Sequence, residues 1–526
     1  MANSENHRRR YWEPVLIGIS AAIGLIAGYN MDFSHGDYSL LSKDVAKSID
    51  APTSTVHGDG RVEEIIRFIE NKYVDSIETE KITINMIDNM LSELDPHSSY
   101  ITPDELDGHN ERMQGEYRGI GIESIKLQDT FYISKIQEGG PAAKAGLEVG
   151  HAFISVEGDE VAGQDLSFEE IRKHLKAENK RKVDLELMKL DGQVYGVSVD
   201  ISEIEVPSAS ICYLLDKETA YLKLSRFSAN TYEQFIESIE KLKDNRQSLN
   251  LVLDLRENPG GFLPQAIKIL SQLFQEKDQL LTYTEGLNQK KKEFRSTGNA
   301  FYNIDKVAVL IDEYSASGSE ILSGAIQDWD RGVVIGQTSY GKGLVQEIYP
   351  LKNGGALRLT VAKYYTPSGR LIQKSYSSDN NNFKADTNVY QTKVLSRKMS
   401  SGNGINPDQP LPSTIGFACY DYWYYIDFYL LHKMKVNQGA DIERRQLTTE
   451  DYNMFVAEYF DQESFIPDNA ACQKNLEREI WNSYQRMQLN DLAYLQFLNE
   501  NDAYVEKALQ FIRDQRPTLA YLSEEK

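Results

Sequence analysis

Several things are scarce in this 526-residue chain. Cysteine occurs only as Cys212, Cys419 and Cys472, with no CxxC pair. That spacing excludes a disulfide framework and a cysteine-built zinc site, and leaves room for one bridge. Basic charge is in deficit: 57 Lys+Arg against 79 Asp+Glu give a net charge of −22. Such a surface repels polyanions, which excludes nucleic-acid binding as the main business. Of the eight histidines, none lies between residues 175 and 431. Long apolar runs are missing too, with a single exception near the N-terminus. No regular repeat occurs, and the composition is not that of collagen, a coiled coil or a mucin. What remains is ordinary globular protein, 41% hydrophobic and 26% charged, long enough for about three or four structural units.

The apolar exception is Val15 to Gly28, preceded by His7-Arg8-Arg9-Arg10. As a helix it spans about 21 Å, short of a ~30 Å hydrocarbon core. Tyr11, Trp12, Tyr29 and Met31 extend it at the two interfaces. With no A-x-A cleavage site following, residues 1–31 read as a signal anchor rather than a removed signal peptide. The positive-inside rule puts everything after about Met31 outside the cytoplasm.

Residues 32–60 are polar and read as a tether. Residues 61–114 carry helical periodicity, interrupted by the proline-bearing LDPHSSYITPDEL (94–106). Residues 115–202 change texture to short β-like runs, broken by Gly and Pro, with one helix-like stretch around 167–177. Residues 203–412 alternate strand and helix patterns, the signature of an α/β domain, with a polar exposed insertion at 374–403. Residues 413–526 are helical and aromatic. The cluster FACYDYWYYIDFYLL (417–431) reads as helix packing, since Asp421 and Asp427 interrupt it.

The chemistry concentrates in EYSASGSEILSGAIQDWDRGVVIGQTSYGKGLVQ (313–346). A strand pattern ends at Asp312, a turn of small residues follows, and a helix pattern runs from Ser319 to Trp329. The first amides of such a helix are unpaired donors at the positive end of its dipole. A serine at that junction is placed to act as a nucleophile. Ser315, Ser317 and Ser319 are equally ordinary capping and turn residues. With no histidine in the α/β region, a Ser–His–Asp triad confined to it is impossible. Lys342, flanked by Gly341 and Gly343, is the substitute base, provided burial lowers its pKa enough to leave it neutral. Read alone, a glycine-flanked lysine is an exposed turn residue.

SASGSE followed by YGKG, together with LDPHSSYITPDEL, LVLDLRENPGGFL, LTVAKYYTPSGRLIQ and GINPDQPLP, resembles the carboxy-terminal processing peptidases, a Ser–Lys family of serine peptidases (S41). The likeness covers about residues 65–412. It implies an α/β core related to the crotonase and Clp-protease folds, with an inserted PDZ-like β module and helical flanks. It implies Ser317 as nucleophile, Lys342 as general base and Gln346 as the residue orienting the lysine. The amide of Gly318, where the family usually has alanine, would form the oxyanion hole with one from Gly260 or Gly261. Asp328 stands where an acid is sometimes assigned to a relay. Eleven residues of helix put it about 16 Å from Ser317, so a structural ion pair or cap is expected instead. The β-rich module resembles a PDZ domain, with Gly119, Ile120, Gly121 and Ile122 as the loop and strand receiving a peptide C-terminus.

The expected function is a serine endopeptidase at the periplasmic face of a bacterial inner membrane. It would cut proteins near exposed apolar C-termini without metal or cofactor. An adaptor and a homodimer are the further partners expected. The alternatives are a non-catalytic PDZ scaffold on a peptidase-like core, and an acyl-ester or thioester hydrolase. The first requires a lost nucleophile or base, whereas Ser317 and Lys342 are both present. The second leaves the β module unexplained.

Overall fold

The computed structural model describes residues 60–176, 180–209, 211–243, 246–352, 354–375, 386–412, 425–437, 440–460 and 470–524. The anchor and nearly all of the tether lie outside these. Among the described residues no helix is long and apolar enough to cross a membrane. The chain divides into two compact units, Met1–Thr83 and Ile84–Lys526. In the first, helix Arg61–Lys72 buries none of its residues and leaves Val62, Ile65 and Phe68 exposed.

The second unit is built around a six-stranded sheet. Its strands run in the order Ile211–Leu214, Thr219–Lys223, Leu249–Asp254, Ile304–Ile311, Val333–Gly336, Gln409–Pro410. All neighbours are parallel except the first pair, an antiparallel hairpin. A parallel sheet must be covered on both faces, and the sequence supplies apolar residues for both. Leu222, Leu251, Leu253, Val307 and Val309 pack on one side with helices Thr231–Lys243, Leu263–Gln272 and Gly318–Asp328. Tyr221, Val252, Ala308, Leu310 and Val333 point to the other, where Tyr504, Val505, Ala508 and Phe511 of helix Ala503–Arg513 cover them. The C-terminal region is therefore not one appended domain. Its last helices complete the α/β core, while Ile426–Val436, Thr449–Phe460 and Ala470–Gln488 form a separate cluster that also takes in Val149 and Leu190. Ile426, Tyr429, Leu430 and Leu431 are buried there, as helix packing requires; residues 417–424 of the aromatic stretch lie outside the described residues.

A second sheet flanks the core. Its long strand Ala356–Tyr365 pairs with Leu344–Pro350, Lys277–Glu285 and the short Ser99–Ile101. The β module has the strand order Ile122–Leu127, Thr130–Ile136, Ala152–Val156, Lys182–Met188, Val194–Asp200 around its own core. Ile122–Leu127 is an edge strand. The pair Glu116–Gly119 and Ser202–Glu205 forms the stem joining module and core.

The described part of the 374–403 insertion differs from the exposed loop expected. Thr392 is buried, strands Tyr390–Gln391 and Lys398–Met399 pair, and Arg397 makes ion pairs of 2.7 Å with Asp330 and 2.6 Å with Asp408. Buried acids drew a polar segment inward, which composition alone does not reveal. Cys472 is disulfide-bonded and Cys212 is a free thiol whose burial pushes its pKa up to about 12.

Candidate active site

The loops that follow three adjacent parallel strands meet at the carboxyl end of the sheet, where α/β folds place their sites. They are 255–261 after Leu249–Asp254, 312–317 after Ile304–Ile311, and 337–343 after Val333–Gly336.

The three serines of the turn separate by environment. Ser315 is buried, and its hydroxyl donates to Leu255 O at 2.8 Å. Ser319 is buried, and its hydroxyl donates to Asn258 O at 2.9 Å. Ser317 is partly exposed and occupies the N-cap position at φ 53°, ψ −110°. A non-glycine residue held at positive φ is strained, and such strain gathers at functional turns. Its backbone N–H donates to Glu320 Oε2 at 2.9 Å, one half of a capping box with Glu320, while its hydroxyl donates to no acceptor among the described residues.

Gly260 packs against this turn. A Cβ there would lie 2.7 Å from Ser317 Cβ and 3.0 Å from Gly318 N, so only glycine allows the approach. The Gly260 amide donates to Asn258 Oδ1 at 2.8 Å, which removes it from the expected pair of oxyanion donors. Among the described residues the amides of Gly261 and Gly318 have no acceptor. Gly318 also has a packing reason to lack a side chain, because a Cβ would sit 2.9 Å from the Phe227 ring.

Lys342 is largely buried between Gly341 and Gly343. Its Nζ donates to Gln346 Oε1 at 2.7 Å, and Gln346 Nε2 donates to His97 O at 2.6 Å. The segment expected to break helices thus supplies a carbonyl that fixes the amide of Gln346. Burial, and then the positive charge of Arg358, hold the lysine below its ordinary pKa, while Asp95 and Glu320 pull it back up. No hydrogen bond joins Ser317 Oγ to Lys342 Nζ among the described residues; bonds of this kind often tighten only with substrate present.

Two buried residues without a role in the sequence reading tie the halves together. Glu320 accepts four hydrogen bonds: Ser317 N at 2.9 Å and Lys342 N at 2.9 Å on Oε2, Gly341 N at 2.7 Å and Ser339 Oγ at 2.6 Å on Oε1. Burial pushes its pKa up, and those four donors oppose it. Tyr364 donates to Ser317 O at 3.1 Å and to Lys342 O. The signal for Glu320 was present, at three residues past the serine in the same helix. That for Tyr364 was not, since its partners lie 47 and 22 residues away.

Asp328 is far from this chemistry. It pairs with Arg370 at 2.6 Å, both fully buried, and accepts Ser368 N at 2.8 Å. In the β module, Gly119 ends the stem strand, Ile120 is buried in the module core, Gly121 turns the chain at φ 81°, and Ile122 begins the edge strand. Among the described residues no group of three or more His, Cys, Asp or Glu is arranged to hold a metal.

A partly exposed serine on a strained strand-to-helix turn, two unengaged amides beside it and a largely buried lysine nearby, in a chain that also carries a PDZ-like module, define a serine-type peptidase class. Family models agree: "Peptidase family S41" matches residues 218–381 and "PDZ domain" matches 132–188. A carboxy-terminal-processing protease of Bartonella bacilliformis is 33% identical over 60% of this chain and 72% of its own length. The carboxy-terminal processing protease CtpB of Bacillus subtilis is 31% identical over 60% of this chain and 65% of its own. Among solved structures, a photosystem II D1 C-terminal processing protease aligns over 67% of this chain and 92% of its own, at 22% identity and a TM-score of 0.35. The chain belongs to peptidase family S41 and is a PDZ-bearing serine-type peptidase.

Proposed function

We propose that the protein cleaves substrate proteins near their C-termini with a Ser317–Lys342 dyad. The PDZ-like module binds an exposed, apolar tail by adding it to the edge strand Ile122–Leu127, with the loop 119–122 receiving the terminal carboxylate. Neutral Lys342 takes the Ser317 hydroxyl proton as Oγ bonds to the scissile carbonyl carbon. The resulting oxyanion accepts hydrogen bonds from the Gly318 and Gly261 amides. Collapse breaks the C–N bond, and the Lys342 ammonium gives its proton to the leaving amine. Water, deprotonated by the same lysine, then hydrolyses the ester and restores Ser317. Gln346 orients the lysine throughout.

The observation carrying this reading is the contrast among the serines: two donate their hydroxyls to buried carbonyls, and the third, strained and partly exposed, donates to none among the described residues and stands beside two unengaged amides. For location we propose the envelope, anchored by residues 11–31. The disulfide at Cys472 supports this, because such bonds persist in oxidising compartments. The exposed apolar face of helix Arg61–Lys72 offers a surface for a second copy or an adaptor.

The test incubates the chain from residue 32, with Ser317→Ala and Lys342→Ala beside it, with an unfolded reporter ending in an apolar tail or in two aspartates. Tail-dependent cuts, located by mass spectrometry and lost in both variants, are expected. Cleavage persisting in either variant rejects the dyad. Cleavage indifferent to the tail rejects C-terminal recognition. An intact reporter with the tail still bound favours a scaffold.

A further inference from the structure

We infer that Arg358 is a positioning residue for the base: a guanidinium on the strand beside Gln346, with no carboxylate partner among the described residues, that keeps Lys342 in its proton-accepting form. The inference rests on Lys342 being the general base.

Arg358 lies on the long strand Ala356–Tyr365, in register with Ile348 on one side and Ser99 on the other. Gln346 stands opposite Thr360 of the same strand pair. Directly opposed residues of an antiparallel pair share a face, and successive side chains alternate. Gln346, Ile348, Arg358 and Thr360 therefore lie on one face, with Arg358 the diagonal neighbour of the residue whose amide holds Lys342. Arg358 Nε is buried with no hydrogen-bond partner, as is Thr360 Oγ1. Among the described residues no carboxylate pairs with Arg358.

That isolation needs a reason in a chain of 79 acidic residues, because an uncompensated, half-buried charge is unfavourable. Three other inward arginines are compensated by acids: Arg256 by Asp254 and Asp502, Arg370 by Asp328, Arg397 by Asp330 and Asp408. Arg331 is held by backbone carbonyls, and Arg226 Nε, like that of Arg358, has no hydrogen-bond partner among the described residues. With no carboxylate beside it among the described residues, the charge of Arg358 is not cancelled locally and acts on its neighbours, Lys342 among them.

The other groups around Lys342 explain what that charge is for. Asp95 and His97 come from the 94–98 segment, Glu320 from the serine's helix, Tyr364 from the long strand, and Tyr340 and Lys374 from the loops. Asp95 and Glu320 favour the ammonium form of Lys342, which is the inactive one. Asp95 accepts bonds from His97 N, Ser98 N and Ser98 Oγ, and Glu320 holds the catalytic turn, so neither acid is dispensable. A like charge nearby offsets them, and an adjacent cation is one of the established ways to activate a lysine.

The test is the pH profile of kcat/KM on the tailed reporter for wild type, Arg358→Met and Arg358→Lys. In Arg358→Met the acidic limb moves to higher pH. At a fixed pH on that limb kcat/KM falls roughly tenfold, while the high-pH plateau and KM are retained. Arg358→Lys restores the wild-type limb. The pH dependence of Lys342 acylation by an amine-reactive reagent, in a Ser317→Ala background, reads the same ionisation without turnover and moves the same way. An unmoved limb, a loss equal at every pH, or a raised KM alone overturns the inference. Activity surviving in Lys342→Ala sinks the dyad instead, so the two failures are distinguishable.

Discussion

Glu320→Gln tests how the site is held together. The carboxylate accepts Ser317 N and Lys342 N on one oxygen, Gly341 N and Ser339 Oγ on the other. A glutamine keeps one acceptor oxygen and replaces the second with an NH2 group. If the NH2 took the Oε2 position it would face two backbone N–H groups, neither able to turn away. At the Oε1 position it faces one, Gly341 N, and one hydroxyl that can rotate to accept. The amide therefore settles in the second orientation. One buried N–H is then left without an acceptor, at about 1–3 kcal/mol. The bonds to Ser317 N and Lys342 N lose their charge assistance, roughly halving their strength. A loss of about 2–4 kcal/mol concentrated in this turn displaces Gly341 and with it Lys342. Misplacement on the order of 1 Å costs about 10²-fold in rate. The assay is kcat and KM on the tailed reporter beside binding of the tail peptide by the isolated-site variant Ser317→Ala/Glu320→Gln. The expected result is kcat down on the order of 10²-fold with tail binding unchanged. Activity within about twofold of wild type would refute the reasoning.

Three further outcomes follow from the same geometry. Asp328→Ala leaves Arg370 buried without its counter-ion, at about 3–5 kcal/mol; the variant melts at lower temperature while kcat per folded molecule is retained, and a selective loss of kcat in a stable variant would restore the relay reading. Gln346→Glu sets a carboxylate where the amide oxygen stands 2.7 Å from Lys342 Nζ; an opposite charge favours the ammonium, so the acidic limb of the pH profile moves up. For wild type the sign is fixed by the lowered lysine pKa. Activity rises with pH through that pKa, and stability also rises between it and the unfolded value of about 10.4, where the unfolded chain binds more protons. A denaturation series across that window checks it.

Local pattern was enough for a good deal of this protein. Strand and helix periods marked the α/β core because TAYLK, LNLVLD and IDKVAVLI carry apolar residues for both faces of a buried sheet. Small residues at a strand-to-helix turn marked where a nucleophile belongs, and glycines around Lys342 marked a tight path beside a substrate. Those signals are contained within a few residues, so they survive without coordinates. The choice among Ser315, Ser317 and Ser319 on physical grounds did not, since it depends on Leu255 and Asn258 arriving from another strand's loop. Nor did the commitment of Gly260's amide to Asn258, which left Gly261 as the second donor. The lysine's support reaches from residue 346 to residue 97, and the final helices close a sheet begun nearly three hundred residues earlier. The sequence determined which chemical groups were on hand and on which elements. Folding decided which of them lost water and which were bonded away, because desolvation and hydrogen bonding depend on neighbours in space rather than along the chain.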